Sequence, residues 1–99
     1  MKLKANSTSE LTRINNNQIL PILRRQKGFR GETMFIAPER LEATANSFWD
    51  TKEDAEAYSG AAYPEVLEAL AHVLADKPAV TYFEFATSTF HRPAAVGIA

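Results

Sequence analysis

Cysteine is absent from the 99 residues, which excludes disulfides, thiol nucleophiles and cysteine-ligated metal sites. The chain has no apolar run long enough to cross a membrane, and its first residues, "MKLKANSTSELTR", lack the apolar segment of a secretory signal. The formal net charge is only -1, so electrostatics gives no reason to expect nucleic-acid binding. We therefore expect a cytoplasmic protein with neither a membrane nor a nucleic-acid partner.

Motifs for metals and nucleotides are also missing. The two histidines, His72 and His91, lie far apart without the spacing of metal ligands, and no stretch matches a P-loop or a dinucleotide-binding pattern. His72 falls on the polar side of its predicted helix, where an exposed histidine usually has no special role. The basic run "RRQK" has a simpler explanation as the positive end of a helix. The sequence predicts no metal and no cofactor.

The order of predicted elements favours one α+β domain over residues 1–92, followed by a tail without periodic structure at 93–99. A short first strand precedes a helix that starts near Ser9 with a Ser7/Glu10 capping box. Pro21 predicts a kink in this helix, and a break at the "NNN" run is the alternative. A hairpin joined by "PER", a second helix with an N-cap at Thr51, and a last strand "AVTYFEFATST" follow. Strand, helix, strand, strand, helix, strand is the split βαβ order of a ferredoxin-like protomer.

Aromatic residues occur at both odd and even positions of the predicted strands. Both faces of the sheet therefore carry apolar surface that has to be buried. We assign Phe48, Phe83 and Phe85 to the face under the helices, which leaves Trp49 and Tyr82 on the other. A monomer would expose that second face, and a homodimer that packs sheet on sheet would cover it. The residues predicted at this dimer seam are Tyr82, Glu84 and His91.

Four segments in order, "ILPILRRQKGFRG", "SFWDTKEDAEAY", "YPEVLEAL" and "YFEFATST", resemble the antibiotic biosynthesis monooxygenase superfamily. The resemblance spans most of the chain and implies a dimeric α+β barrel with a pocket between sheet and helices. The chain departs from the family pattern at its start, because "MKLK" supplies only the second half of the family's usual first strand. The asparagine, histidine and tryptophan of heme-degrading relatives have no counterparts here; Asn6 lies too late and Leu67 stands near the histidine position. Heme is therefore not an expected ligand.

The resemblance further implies a pocket for an aromatic or quinol-like molecule, with oxidation by molecular oxygen and without a cofactor. The candidate lining residues are Asn46, Ser47, Trp49, Tyr58 and Tyr63. Two of these have an equally simple structural explanation: Trp49 as a core aromatic at a strand end, and Asn46 as an edge residue or one bound to water. The alternative function is a non-catalytic dimer of the same fold that binds a small molecule or serves in assembly.

Overall fold

The computed structural model describes residues 1–85 and 95–99, which form an α+β structure compatible with a ferredoxin-like fold. Four helices lie against one side of a four-stranded sheet of order β1-β2-β4-β3, in which each pair of neighbours is antiparallel. The helices are α1 (Thr8–Ile14), α2 (Leu20–Arg24), α3 (Lys52–Ala61) and α4 (Tyr63–Leu70). The strands are β1 (Phe29–Ala37), β2 (Glu42–Trp49), β3 (Thr81–Glu84) and β4 (Ala95–Ile98).

The first helical region is interrupted between α1 and α2 by a π-helical turn, Asn15–Ile19. The interruption comes just before Pro21, which has no backbone N–H to donate into the preceding turn. Pro21 is then accommodated in the first turn of α2, where its missing donor costs nothing. The predicted kink is thus a widened turn, a feature that frequently marks functional sites in helices.

The two predicted helix caps have different outcomes. The Thr51 hydroxyl accepts a hydrogen bond from the Asp54 backbone N–H at 3.0 Å, so the cap of α3 forms as expected. Ser7 precedes α1, but its side chain makes no capping bond, and the Glu10 carboxylate instead pairs with Arg13 one turn later. The predicted capping box is therefore wrong, because a cationic partner on the same helix face takes the Glu10 carboxylate.

The β1–β2 hairpin closes through a 3-10 turn, Pro38–Arg40, and contains a bulge near its open end. Phe29 pairs with Trp49, whereas Gly31 pairs with Phe48, so one residue of β1 is extra. An extra residue reverses the side to which the following side chains point. Phe29 therefore packs edge-on against Trp49 on the helix side, with ring centroids 5.5 Å apart.

Strand β4 lies inside the sheet, between β2 and β3, where the sequence predicts an irregular tail. The boundary expected at 92/93 falls outside the described residues, but Ala95–Ile98 pair with both neighbouring strands. The first residues of the chain lie along the same edge of β2: Met1 and Ala43 exchange backbone hydrogen bonds. Small residues alternate with Val96 and Ile98, so the segment has little contrast between polar and apolar positions, and its sequence does not indicate a strand.

The structure reverses the predicted assignment of the two sheet faces. Trp49 and Tyr82 point toward the helices, whereas Phe48 and Phe83 lie on the open face. As expected, Trp49 and Tyr82 point to the side opposite that of Phe48 and Phe83. Alternation along a strand does not show which of the two sides the helices cover. We call the two sides the helix face and the open face.

The core lies between the helix face and the apolar stripe of the helices. Leu11 and Ile14 of α1 are fully buried, as are Val66 and Leu70 of α4 to within a few per cent. Helix α4 ends at Leu70, earlier than predicted, although the next members of its stripe, Val73 and Leu74, stay buried. None of the helices in the described part of the chain combines the length and apolar character needed to span a membrane.

Candidate functional site

A cavity of about 50 Å³ lies between the helix face of the sheet and the helices. An apolar cavity of about 150 Å³ is known to hold benzene, so this smaller space fits a few ordered waters, and an aromatic ring would enter only if the lining side chains moved apart. Most of its wall is apolar, including Ile19, Leu23, Met34, Val66 and Leu70. A smaller set of lining side chains is polar: Asn15, Glu32, Ser47, Tyr58, Ser59, Tyr63 and Tyr82. An apolar cavity with a few polar groups is the usual form of a small-molecule site.

The central polar contact joins Asn15 to Glu32. The Asn15 side-chain amide donates to Glu32 Oε1 at 2.8 Å, linking the π-helical turn to β1. Asn15 is only 7% exposed, and its Oδ1 has no hydrogen-bond partner. A buried amide oxygen without a donor is costly, so this atom is available to accept a bond from a bound molecule.

Burial raises the pKa of the Glu32 carboxyl, while the bond from Asn15 opposes that rise by favouring the carboxylate. Desolvation is the larger effect, so Glu32 binds a proton more readily than an exposed glutamate does. A carboxylate of raised basicity beside an unsatisfied amide oxygen is suited to take a proton from a weakly acidic hydroxyl group.

Three tyrosines, Tyr58, Tyr63 and Tyr82, also line the cavity. Burial, and then the proximity of Tyr63, Glu32 and Tyr82, raise the pKa of the Tyr58 phenol. Burial also raises the pKa of Tyr63, whose hydroxyl has no hydrogen-bond partner although it is buried. The phenols of Tyr58 and Tyr63 therefore stay neutral at physiological pH, and the Tyr63 hydroxyl is a free donor or acceptor at the cavity.

Trp49 is both a core residue and part of the cavity wall. It is 0% exposed, stacks on Tyr58 with ring centroids 5.1 Å apart, and donates its indole N–H to Ser47 Oγ at 3.0 Å. Its position at the end of β2, next to the α3 N-cap, lets one ring close the core and face the cavity. The two explanations that the sequence left open for Trp49 are thus compatible.

The structure brings together four of the five residues proposed for the pocket, namely Ser47, Trp49, Tyr58 and Tyr63. Asn46 is the exception: it lies on the open face and donates to Thr33 Oγ1 at 3.2 Å, so its proposed place in the pocket is corrected. The cause is the reversed face assignment, since neighbours along a strand point to opposite sides.

The predicted dimer-seam residues are also placed differently. Tyr82 lines the cavity and is not on the open face, which corrects its assignment to the seam. Glu84 is exposed at the end of β3, and His91 lies outside the described residues. His72 is exposed, with Nε2 3.5 Å from Glu10 Oε1 at the surface and away from the cavity.

Sequence reasoning missed Asn15 and Glu32, the two residues with the most distinctive chemistry. A signal for Asn15 existed, because it stands four residues after Leu11 and four before Ile19, on the apolar side of the helix. Glu32, Met34 and Ile36 are two residues apart along β1, so their side chains point to the same side. The carboxylate of Glu32 therefore lies on the helix face, among apolar side chains. A polar residue at a position that the pattern assigns to the core is therefore a candidate for a functional role.

The described residues offer no cluster of three or more histidine, aspartate or glutamate side chains that could hold a metal ion. The side chains that line the cavity bring together the Glu32 carboxyl, the Asn15 amide, two serine hydroxyls and several phenols against apolar walls. These groups can orient a hydroxylated ring by hydrogen bonds and accept its proton. Comparison of the chain with models of protein families, with curated proteins and with solved structures finds no match.

Proposed function

We propose that the protein binds a hydroxylated aromatic molecule in this cavity and promotes its oxidation by molecular oxygen without a cofactor. The observation that carries the proposal is the Asn15–Glu32 pair, a hydrogen-bonded carboxyl and amide that line a mostly apolar cavity. The small volume of the cavity disfavours polycyclic molecules, and a single ring such as 1,4-dihydroxybenzene would enter as the lining side chains move apart. The resemblance to the antibiotic biosynthesis monooxygenases agrees with this class of chemistry.

In the proposed reaction Glu32 accepts the proton of one ring hydroxyl, and Asn15 Oδ1 or Tyr63 holds the ligand's polar groups. The electron-rich phenolate then reacts with molecular oxygen. One oxygen atom bonds to a ring carbon, and the other leaves as water with two hydrogens from the substrate. For 1,4-dihydroxybenzene the product is hydroxy-1,4-benzoquinone, and all the electrons come from the substrate. The protein supplies a dry cavity, orientation and a base.

A homodimer belongs to the same proposal, formed by the open face of the sheet. Phe35 and Phe83 are 66% and 51% exposed there, and Phe48 packs toward Phe85 with ring centroids 6.0 Å apart. Val96 and Ile98 extend the same apolar surface across β4. A second copy would present the same surface, so two open faces related by a twofold axis would cover each other and form a barrel of two sheets.

Oxygen uptake tests the catalytic part. Purified protein with 1,4-dihydroxybenzene should consume oxygen faster than the buffer does, and Glu32→Gln should lower that rate by roughly 10²-fold or more, as expected for loss of a general base. Glu10→Gln is the matched control, because Glu10 is a surface glutamate paired with Arg13. Its rate should equal that of the wild type.

The alternative, a non-catalytic binding protein, gives a different pattern. Oxygen uptake would then match the buffer blank, while 1,4-dihydroxybenzene would still quench the fluorescence of Trp49, the single tryptophan, in a saturable way. Equal oxygen uptake by the wild type and Glu32→Gln would remove Glu32 as the base. Absence of both uptake and quenching would reject the aromatic ligand.

A further inference from the structure

One row of residues crosses the helix face of the sheet beneath the cavity. In the strand register Glu32 of β1 is opposite Ser47 of β2, Ser47 is opposite Gly97 of β4, and Gly97 is opposite Tyr82 of β3. All four residues line the cavity. Three of them project polar side chains, and the glycine between Ser47 and Tyr82 projects none.

The space above Gly97 is bounded closely on both sides. A Cβ added to Gly97 would lie 3.2 Å from Ser47 Oγ and 3.5 Å from the nearest ring carbon of Tyr82. The backbone of Gly97 lies outside the region of positive φ that favours glycine, so conformational strain does not explain the residue. What a side chain would change here is the space between its two neighbours.

We propose that Gly97 determines the size of the ring that the cavity accepts, by letting the edge of a flat aromatic ligand lie over the β4 backbone between Ser47 and Tyr82. This inference rests on the proposed function for the identity of the ligand. A second feature points to a ligand in the same space: Asn15, more than nine-tenths buried, lines the cavity with an unpartnered Oδ1. A ring held there would place a hydroxyl near the Asn15–Glu32 pair.

Adding a methyl group at this position gives a direct test. In Gly97→Ala the new methyl would occupy part of the cavity and press on Ser47 Oγ, which accepts the Trp49 indole N–H. The affinity for 1,4-dihydroxybenzene, measured by Trp49 fluorescence, should fall at least tenfold. The affinity for 1,4-dihydroxynaphthalene should fall by a larger factor. The control is Gly60→Ala, whose added methyl meets nothing within 4 Å. That variant should bind both probes as the wild type does.

Two further measurements separate the possible failures. Ser47→Ala/Gly97→Ala removes the close contact at Ser47 but keeps the methyl in the cavity, so it should bind more weakly than Ser47→Ala alone. Xenon binding, followed by NMR, reports the empty space without any hydroxyl recognition, and Gly97→Ala should reduce it. If the wild type binds xenon but neither aromatic probe, the proposed function fails, and weaker xenon binding in Gly97→Ala would still show that Gly97 sets the free space of the cavity. Unchanged affinity for probes and xenon in Gly97→Ala would overturn the inference.

Discussion

The two faces of the sheet have similar numbers of aromatic residues but different surroundings. The helix face holds Trp49 and Tyr82 with Glu32 and Ser47 around a partly enclosed cavity, and Trp49 there stacks on Tyr58 and donates to Ser47. The open face holds phenylalanines that are partly exposed and lack polar partners among the described residues. One face therefore has the makeup of a ligand site, and the other that of an association surface.

The largest difference between the faces should appear in stability. Trp49→Ala removes a fully buried ring and its contacts with Tyr58 and Phe29, and should lower the free energy of unfolding by about 3–5 kcal/mol. Phe83→Ala, on the open face, should lower the free energy of unfolding much less than Trp49→Ala does, at concentrations where the protein is monomeric. Urea unfolding followed by circular dichroism is the suitable measurement, since Trp49→Ala has no tryptophan signal. Similar losses for the two variants would contradict the distinction.

Association should depend on the open face alone. Phe83→Glu places a carboxylate in the proposed dimer interface and should weaken association by about 2 kcal/mol or more, a loss typical of a central aromatic contact. Tyr82→Phe, on the neighbouring position but the helix face, should leave association unchanged. Sedimentation equilibrium at micromolar concentrations distinguishes the two. A wild type that is monomeric under these conditions would reject the dimer.

Two asparagines allow a similar comparison with smaller effects. Asn15→Ala leaves the half-buried Glu32 carboxyl without its hydrogen-bond donor and should cost about 1–3 kcal/mol of stability. Asn46→Ala loses only a bond to Thr33 on the open face and should change stability by less than about 0.5 kcal/mol. Thermal unfolding of both variants beside the wild type measures the difference. A larger loss in Asn46→Ala would show that the open face is covered in solution.

The helices and strands of this fold can be predicted from the sequence more readily than the residues of the candidate site. The β1–β2 hairpin, the Thr51 cap and the apolar stripe of α4 come from local signals, and each is present. The faces were reversed because strand alternation is symmetric between the two sides, and aromatic residues occupy both. The Asn15–Glu32 pair joins residues 17 positions apart through a π-helical turn and a strand, so no local pattern predicts the contact.

The smallest predicted effect concerns the pH dependence of stability at Glu32. Burial raises the pKa of this carboxyl in the folded state above the ordinary value of 4.5, so the folded protein holds its proton more tightly than the unfolded chain. The stabilising contribution of the protonated form is complete below pH 4.5 and is lost as the pH rises through the folded pKa. Glu32→Gln cannot ionise, so its stability relative to the wild type should increase over that range and then level off.

Glu10→Gln supplies a control of opposite sign for this prediction. The hydrogen bond from Arg13 lowers the pKa of Glu10, so the wild type gains stability at that site as the pH rises toward 4.5, and the glutamine variant does not. Urea titrations between pH 3 and pH 8, with the difference in stability from the wild type plotted for each variant, should therefore give slopes of opposite sign: falling with pH below pH 4.5 for Glu10→Gln and rising with pH above pH 4.5 for Glu32→Gln. A flat difference for Glu32→Gln would mean that water reaches the Glu32 carboxyl freely. In that case the cavity would not raise the basicity of Glu32, and the proposed base would lose its main physical support.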